Sequence, residues 1–307
     1  MTANEIISYM ESLYNDEQRR ILMGFFKTGP GEYGEGDEFL GLKVPQTREV
    51  VKAVPKDFPL TEIPVLLNSR WHEVRLCGLL ILVAKFERLA TKRLENDEKA
   101  IRDRDAIVTF YLQYAERANN WDLVDLSVHK ILGHWLLLPT NLGDRDYKIK
   151  VLDGLAQSEN LWKQRMSIVC SWKTSQMGDP SWCLRYAEMH LHHPHDLMHK
   201  AVGWMLREMG KRVSMDLLRD FLRQHVFLRD GLASNQFIAH IAQSTVDGDI
   251  AINEVLNIPQ ISDNQWWTAR GDIHPRTVGL GLREREDGRC GYLVRQETHQ
   301  RAVDVEE

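Results

Sequence analysis

Trp121 and Asp125 stand four residues apart in the stretch NNWDLVDLSVHKILGHWL, whose apolar residues recur at helical spacing. A rotation of about 100° per residue gathers Val124, Val128, Ile131, Leu132 and Trp135 into one arc. Asp125 falls at the edge of that arc, with Trp121 one turn earlier on the same face. A carboxylate on a mostly apolar face is costly unless it has a partner or faces a cleft. Two roles therefore suit it: a capping or salt-bridging aspartate beside a core tryptophan, or a carboxylate turned towards a reacting group.

A second helical stretch repeats the anomaly with opposite sign. Leu161, Ile168, Val169 and Trp172 form its apolar arc, and Arg165 projects from within it. That arginine suits either a phosphate or an ion pair with Asp125, and Lys173 extends the basic surface. Further along, Lys200, Trp204, Arg207 and Lys211 share one helical sector. A tryptophan flanked by cations fits a nucleic-acid backbone, and a buried tryptophan amid solvated charges is the structural alternative.

Other chemistries find little support. The run HLHHPHDLMH holds His190, His192, His193, His195 and His199, but Pro194 interrupts it and no helical H-E-x-x-H pair occurs. A polar connection between helices is the simpler reading, with no metal expected. Cys77, Cys170, Cys183 and Cys290 lie far apart, and without a C-x-x-C pair they point to a reduced, cytoplasmic setting. The glycine-rich stretch GPGEYGEGDEFLG, 29–41, lacks the Gly-Lys-Ser/Thr ending of a phosphate-binding loop and reads as a structured loop. No hydrolase triad, flavin motif or dinucleotide motif appears, so no cofactor is expected.

Helices must position these residues. Apolar periodicity predicts them near 3–26, 45–54, 61–68, 70–86, 97–117, 120–138, 145–157, 159–174, 181–190, 196–210 and 214–225, with Pro45 in a first turn and Ser158 capping the helix after it. Short antiparallel helices bury their apolar faces by stacking on neighbouring pairs, which predicts an all-α, HEAT-like repeat solenoid. In one alignment WHEVRLCGLLIL, LWKQRMSIVCSW and LMHKAVGWMLRE bring Arg75, Arg165 and Lys200 into register, as if each inner helix offered one polar residue to a shared surface.

Charge is distributed to suit such a surface. The chain carries a net −5, but residues 230–307 hold 13 acids against 7 basic side chains, whereas 160–229 hold 11 basic against 6 acidic. A helical domain over 1–229 and an irregular, acidic C-terminal segment over 230–307 follow, with the Trp266–Trp267 pair as a docking anchor in the latter. The N-terminus, MTANEIISYMESLY, has no long apolar run, so neither a signal peptide nor a membrane association is expected. Nothing points to an obligate protein partner, and a monomer is expected.

Four long stretches resemble, in order, the AlkD-like family of DNA alkylation repair glycosylases: FFKTGPGEYGEGDEFLGLKVPQTREV, NNWDLVDLSVHKILGHWL, SENLWKQRMSIVCSW and LMHKAVGWMLREMGKR. The resemblance covers roughly residues 1–225. It implies a curved stack of HEAT-like repeats (an α-α superhelix) with a basic concave groove for duplex DNA, and hydrolysis of the N-glycosidic bond of cationic purines such as 3-methyladenine and 7-methylguanine. It implies Asp125 and Trp121 as catalytic, Arg165 as the active-site arginine and Trp204 as a second groove tryptophan. Arg48, Lys173 and Arg207 fall where the family touches the DNA backbone, and Lys200 and Lys211 continue the stripe. After 225 the chain departs from the family's usual succession of helices, so a non-catalytic DNA-binding or scaffold protein related to these enzymes is the alternative.

Overall fold

A computed structural model of the chain describes residues 1–226, 280–284 and 290–294. Its contacts divide into two compact units, Met1–Leu218 and Arg219–Glu307. The described elements begin with α1 (Ala3–Ser12), α2 (Asp16–Phe25), α3 (Val44–Ala53), α4 (Ile63–Leu67), α5 (His72–Leu89) and α6 (Glu98–Gln113). They continue with α7 (Trp121–Leu137), α8 (Arg145–Ala156), α9 (Leu161–Val169), α10 (Ser171–Gln176), α11 (Ser181–Met189), α12 (Asp196–Arg212) and α13 (Met215–Val226). The all-α reading holds across this part of the chain.

Within the first unit one row of helices runs from α3 to α5, then α7, then α9 with α10, then α12, each packed on the next. A second row backs it: α4 and α6 lie against α5, α8 against α9, and α11 against α12. This is the packing of a helical repeat, in which each pair buries its apolar faces on its neighbours. The arc anticipated on α7 is the core of that stack, for Val124, Val128, Ile131, Leu132 and Trp135 are all buried. Each such side chain contributes about 1.5–3 kcal/mol by leaving water.

Two long helices expected from periodicity are each broken in two. The span 3–26 divides because Asn15 takes the N-cap of α2, accepting from the Gln18 amide at 2.9 Å while its own amide donates to the Leu40 carbonyl at 2.9 Å. Gly41, at φ 87°, permits that contact; a Cβ there would overlap the Asn15 carbonyl oxygen. The span 159–174 divides at Cys170, where Ser167, Ser171 and Thr174 each donate their hydroxyl to the carbonyl three residues back, at 2.6, 2.7 and 3.0 Å. Gly133 of α7 rests on this break. A Cβ at that position would overlap the Cys170 carbonyl and lie 2.8 Å from the Cβ of Lys173. The cap of α9 is also Asn160 rather than Ser158, whose hydroxyl closes the turn before it.

The aligned basic residues do not line one surface. Arg75 turns inward, where it pairs with Asp37 and donates to the carbonyls of Ser69 and Arg70 at 3.0 and 2.9 Å. Arg165 is buried too, whereas Lys200 is exposed beside Asp196 at 2.7 Å. The register reflects sequence spacing, but the loop packed on α5 decides where Arg75 points.

In the second unit, β1 (Leu280–Glu284) and β2 (Cys290–Val294) pair antiparallel, with Leu280 opposite Val294 and Leu282 opposite Tyr292. A strand pair was not expected in this segment, because each run is only five residues long and a glycine interrupts its alternation. The Trp266–Trp267 pair and the remainder of the acidic segment lie outside the described residues. Among the described residues no helix is long and apolar enough to cross a membrane.

Candidate functional site

The site is built at the start of α7. Asn120, fully buried, caps the helix by accepting from the Trp121 amide at 2.8 Å. Trp121 is half-buried rather than part of the core. Phe26 stacks on its ring at a centroid distance of 5.2 Å, Phe25 meets it edge-on at 5.8 Å, and Tyr33 lies beside it. Phe25 is itself 60% exposed, so this aromatic cluster opens to solvent.

One turn on, Asp125 meets Arg165. The guanidinium grips both carboxylate oxygens, Nε to Oδ1 at 2.9 Å and Nη2 to Oδ2 at 2.8 Å, and Nη1 donates to the Leu197 carbonyl at 2.6 Å. A single arginine therefore ties α7, α9 and the first turn of α12 together. Its side chain is 6% exposed, but that of Asp125 keeps 15%. Burial raises the Asp125 pKa above the ordinary carboxylate value; Arg165 opposes the shift and the nearby charge of Asp122 adds to it. The fold thus holds a carboxylate at an opening where ionisation is disfavoured, and each oxygen retains a lone pair for a further partner.

The remaining sequence candidates are spread around this pair. Trp204 is half-buried on α12, two turns beyond Leu197 and on the same side of the helix. Lys200 and Lys211 are exposed on α12, and Arg207 is half-buried 3.0 Å from Glu208. Arg212, not singled out by its spacing, bridges Glu208 at 3.0 Å and lies over the Trp172 ring at 5.2 Å. Lys173 on α10 donates to Gln176 at 3.0 Å, and its pKa is lowered by burial and by Lys130 against the pull of Glu87. Arg48 is exposed on α3.

The histidine run joins α11 to α12 and is tied to α9. His190 bonds the Ser167 hydroxyl at 2.8 Å, His193 bonds Gln164 at 2.8 Å, and His195 caps α12. No three His, Cys, Asp or Glu side chains converge as a metal site among the described residues.

Sequence reasoning missed a buried charged array behind Trp121. His72 heads α5, with Nδ1 2.8 Å from an Asp37 oxygen and Nε2 2.9 Å from an Asp122 oxygen. Arg75 pairs with the other oxygen of Asp37. Phe39 stacks on the imidazole at 4.4 Å, and Phe26 spans the gap between His72 and Trp121. Beside it Glu73 accepts from the amides of Leu40, Gly41 and Leu42 at 2.9, 2.9 and 3.0 Å, which pins the glycine-rich loop to α5. The only sequence signal was the adjacency of Asp122 to Trp121.

A family model described as DNA alkylation repair enzyme matches residues 6–235. Among solved structures, the chain is similar to a predicted DNA alkylation repair enzyme from Enterococcus faecalis, at 15% identity and a TM-score of 0.51, covering 75% of this chain and 97% of that one. At that identity the likeness concerns the fold alone. No curated protein matches.

Proposed function

Since this chain belongs to the DNA alkylation repair enzyme family, AlkD-like in kind, we propose that it is a monofunctional DNA glycosylase acting on cationic N-alkylated purines, such as 3-methyladenine and 7-methylguanine, in duplex DNA. The observation that carries this reading is Asp125: a carboxylate clamped by Arg165 yet partly open, one turn from a half-buried tryptophan.

A base alkylated at N3 or N7 is already cationic. When its bond to C1′ breaks, the bonding pair leaves with the base, which departs neutral and needs no proton. Positive charge then develops on the sugar, and a preorganised carboxylate in a partly desolvated site stabilises it. Water adds to C1′ and releases a proton, and in this reading Asp125 orients that water. The faces of Trp121 and Trp204 carry negative potential and suit packing against the cationic sugar.

Three of the five N–H donors of Arg165 serve Asp125 and Leu197. Its proposed part is accordingly to aim the carboxylate, and backbone phosphates fall to Arg48, Lys173, Lys200, Arg207 and Lys211. Selectivity then follows from the lability of the cationic lesion, with sugar and backbone captured instead of a flipped base. No lysine is assigned as a nucleophile, so strand cleavage is not expected.

The test is release of free base from duplex DNA carrying 7-methylguanine, measured by chromatography. Protein that is folded and binds the duplex but releases no base above background refutes the reading. That result would favour a non-catalytic DNA-binding protein, in which the Asp125–Arg165 pair is structural.

A further inference from the structure

We propose that His72, held as an imidazolium, is a positioning residue that cross-links the glycine-rich loop to the N-terminus of α7 and so sets Tyr33 and Trp121 against each other. The inference deepens the proposed site and rests on that reading for its effect on base release.

The argument is one of donors and acceptors. Each ring nitrogen of His72 faces a carboxylate oxygen, Asp37 from the loop at 2.8 Å and Asp122 from α7 at 2.9 Å. A neutral imidazole has one N–H and one lone pair, so it would turn a lone pair towards one of these carboxylates. Only the doubly protonated ring donates to both. The ring is buried between Phe39 and Phe26, and water cannot take over either role.

The groups facing this ring are few. Asp37 is held in turn by Arg75. Asp122 lies next to Trp121 and acts electrostatically on Asp125, itself paired with Arg165. Glu73 is committed to the loop amides. Burial disfavours the cation, but Asp122 and Asp37 together lift the His72 pKa from 6.5 to about 9.

The consequence is geometric. The segment holding Asp37 also holds Tyr33, which lies beside the Trp121 indole and whose ring lies edge-on to Trp162 at 6.1 Å. Loss of one proton from His72 removes the tie between loop and helix, and Tyr33 is then no longer held beside Trp121. Tyr33 does not obscure that transition, because burial raises its own pKa above 10.0.

The experiment is nitrogen-detected NMR of the full chain with labelled histidine and tryptophan, titrated from pH 6 to 10, alongside base release over the same range. Both His72 nitrogens are expected to be protonated at pH 8, with one proton lost near pH 9 and the Trp121 indole resonance moving with the same midpoint. In Asp37→Asn that midpoint should fall towards 6.5, and the alkaline limb of base release should fall with it. Should Asp37→Asn not fold, His72→Gln serves instead: it should abolish the limb and slow release at pH 7 by about tenfold or more.

One unprotonated nitrogen at pH 8 overturns the proposal, as does a Trp121 resonance or a pH limb indifferent to these variants. Absence of base release by the wild type, with both resonances titrating as expected, overturns the proposed activity and leaves the cross-link standing.

Discussion

Asp125→Asn separates the two roles that the sequence left open for this residue. At about 4 Å and an effective dielectric of about 20, a full carboxylate charge stabilises a developing sugar cation by about 4 kcal/mol. Arg165 grips both oxygens and offsets up to half of that field, leaving about 2–4 kcal/mol, or about 30- to 1000-fold in the rate of base release. Stability should move differently. The Asp125 pKa is raised even with Arg165 in place, so ionisation is costlier in the fold than in water, and an uncharged isostere relieves that cost while giving up the counter-charge of Arg165.

Arg165 keeps the Leu197 carbonyl at 2.6 Å and gains the Asn amide oxygen in place of one carboxylate oxygen. Asp125→Asn should therefore unfold within about 1 kcal/mol of the wild type, whereas breaking a purely structural buried pair costs about 3–5 kcal/mol. Single-turnover base release and urea unfolding on the same preparation decide the matter. A variant that loses about 3 kcal/mol or more of stability while releasing base at the wild-type rate refutes the catalytic assignment.

Other consequences concern the same framework. Arg165→Met removes the charge that opposes protonation of Asp125, so the acid limb of the pH–rate profile should move to higher pH; an unmoved limb means that Asp125 is not the titrating group. The cationic His72 stabilises the fold fully below pH 6.5, and this contribution, roughly 3 kcal/mol, should disappear as pH rises through about 9. Urea midpoints at pH 6 and pH 10, compared between wild type and His72→Gln, measure it. Gly133→Ala drives a Cβ into the Cys170 carbonyl and should cost about 1–3 kcal/mol in thermal or urea unfolding, with the site chemistry otherwise intact. Lys173→Gln should reduce the salt dependence of duplex binding by about one counterion, read as a shallower slope of log affinity against log salt.

The helices were legible because their signal is local. The apolar arc of Val124, Val128, Ile131, Leu132 and Trp135 recurs within one helix and is the core of the stack. The breaks at Asn15 and Cys170 were not, since a side-chain hydroxyl or amide competing with the helix ladder leaves the apolar period intact. The site was half legible: Trp121 and Asp125 share a face by spacing, but whether Arg165 meets a phosphate or Asp125 depends on two helices whose contact periodicity does not encode.

The sequence by itself determined the all-helical architecture of residues 1–226, the shared face of Trp121 and Asp125, and the family, since all three depend on order and spacing along the chain. Only the tertiary structure decided which charges meet. Asp37 reaches His72 across 35 residues, His72 reaches Asp122 across 50, and Asp125 reaches Arg165 across 40. Pairings over such separations arise from the packing of α5, α7 and α9 and of the loop pinned by Glu73, where burial leaves each charge only the partner that the fold brings to it.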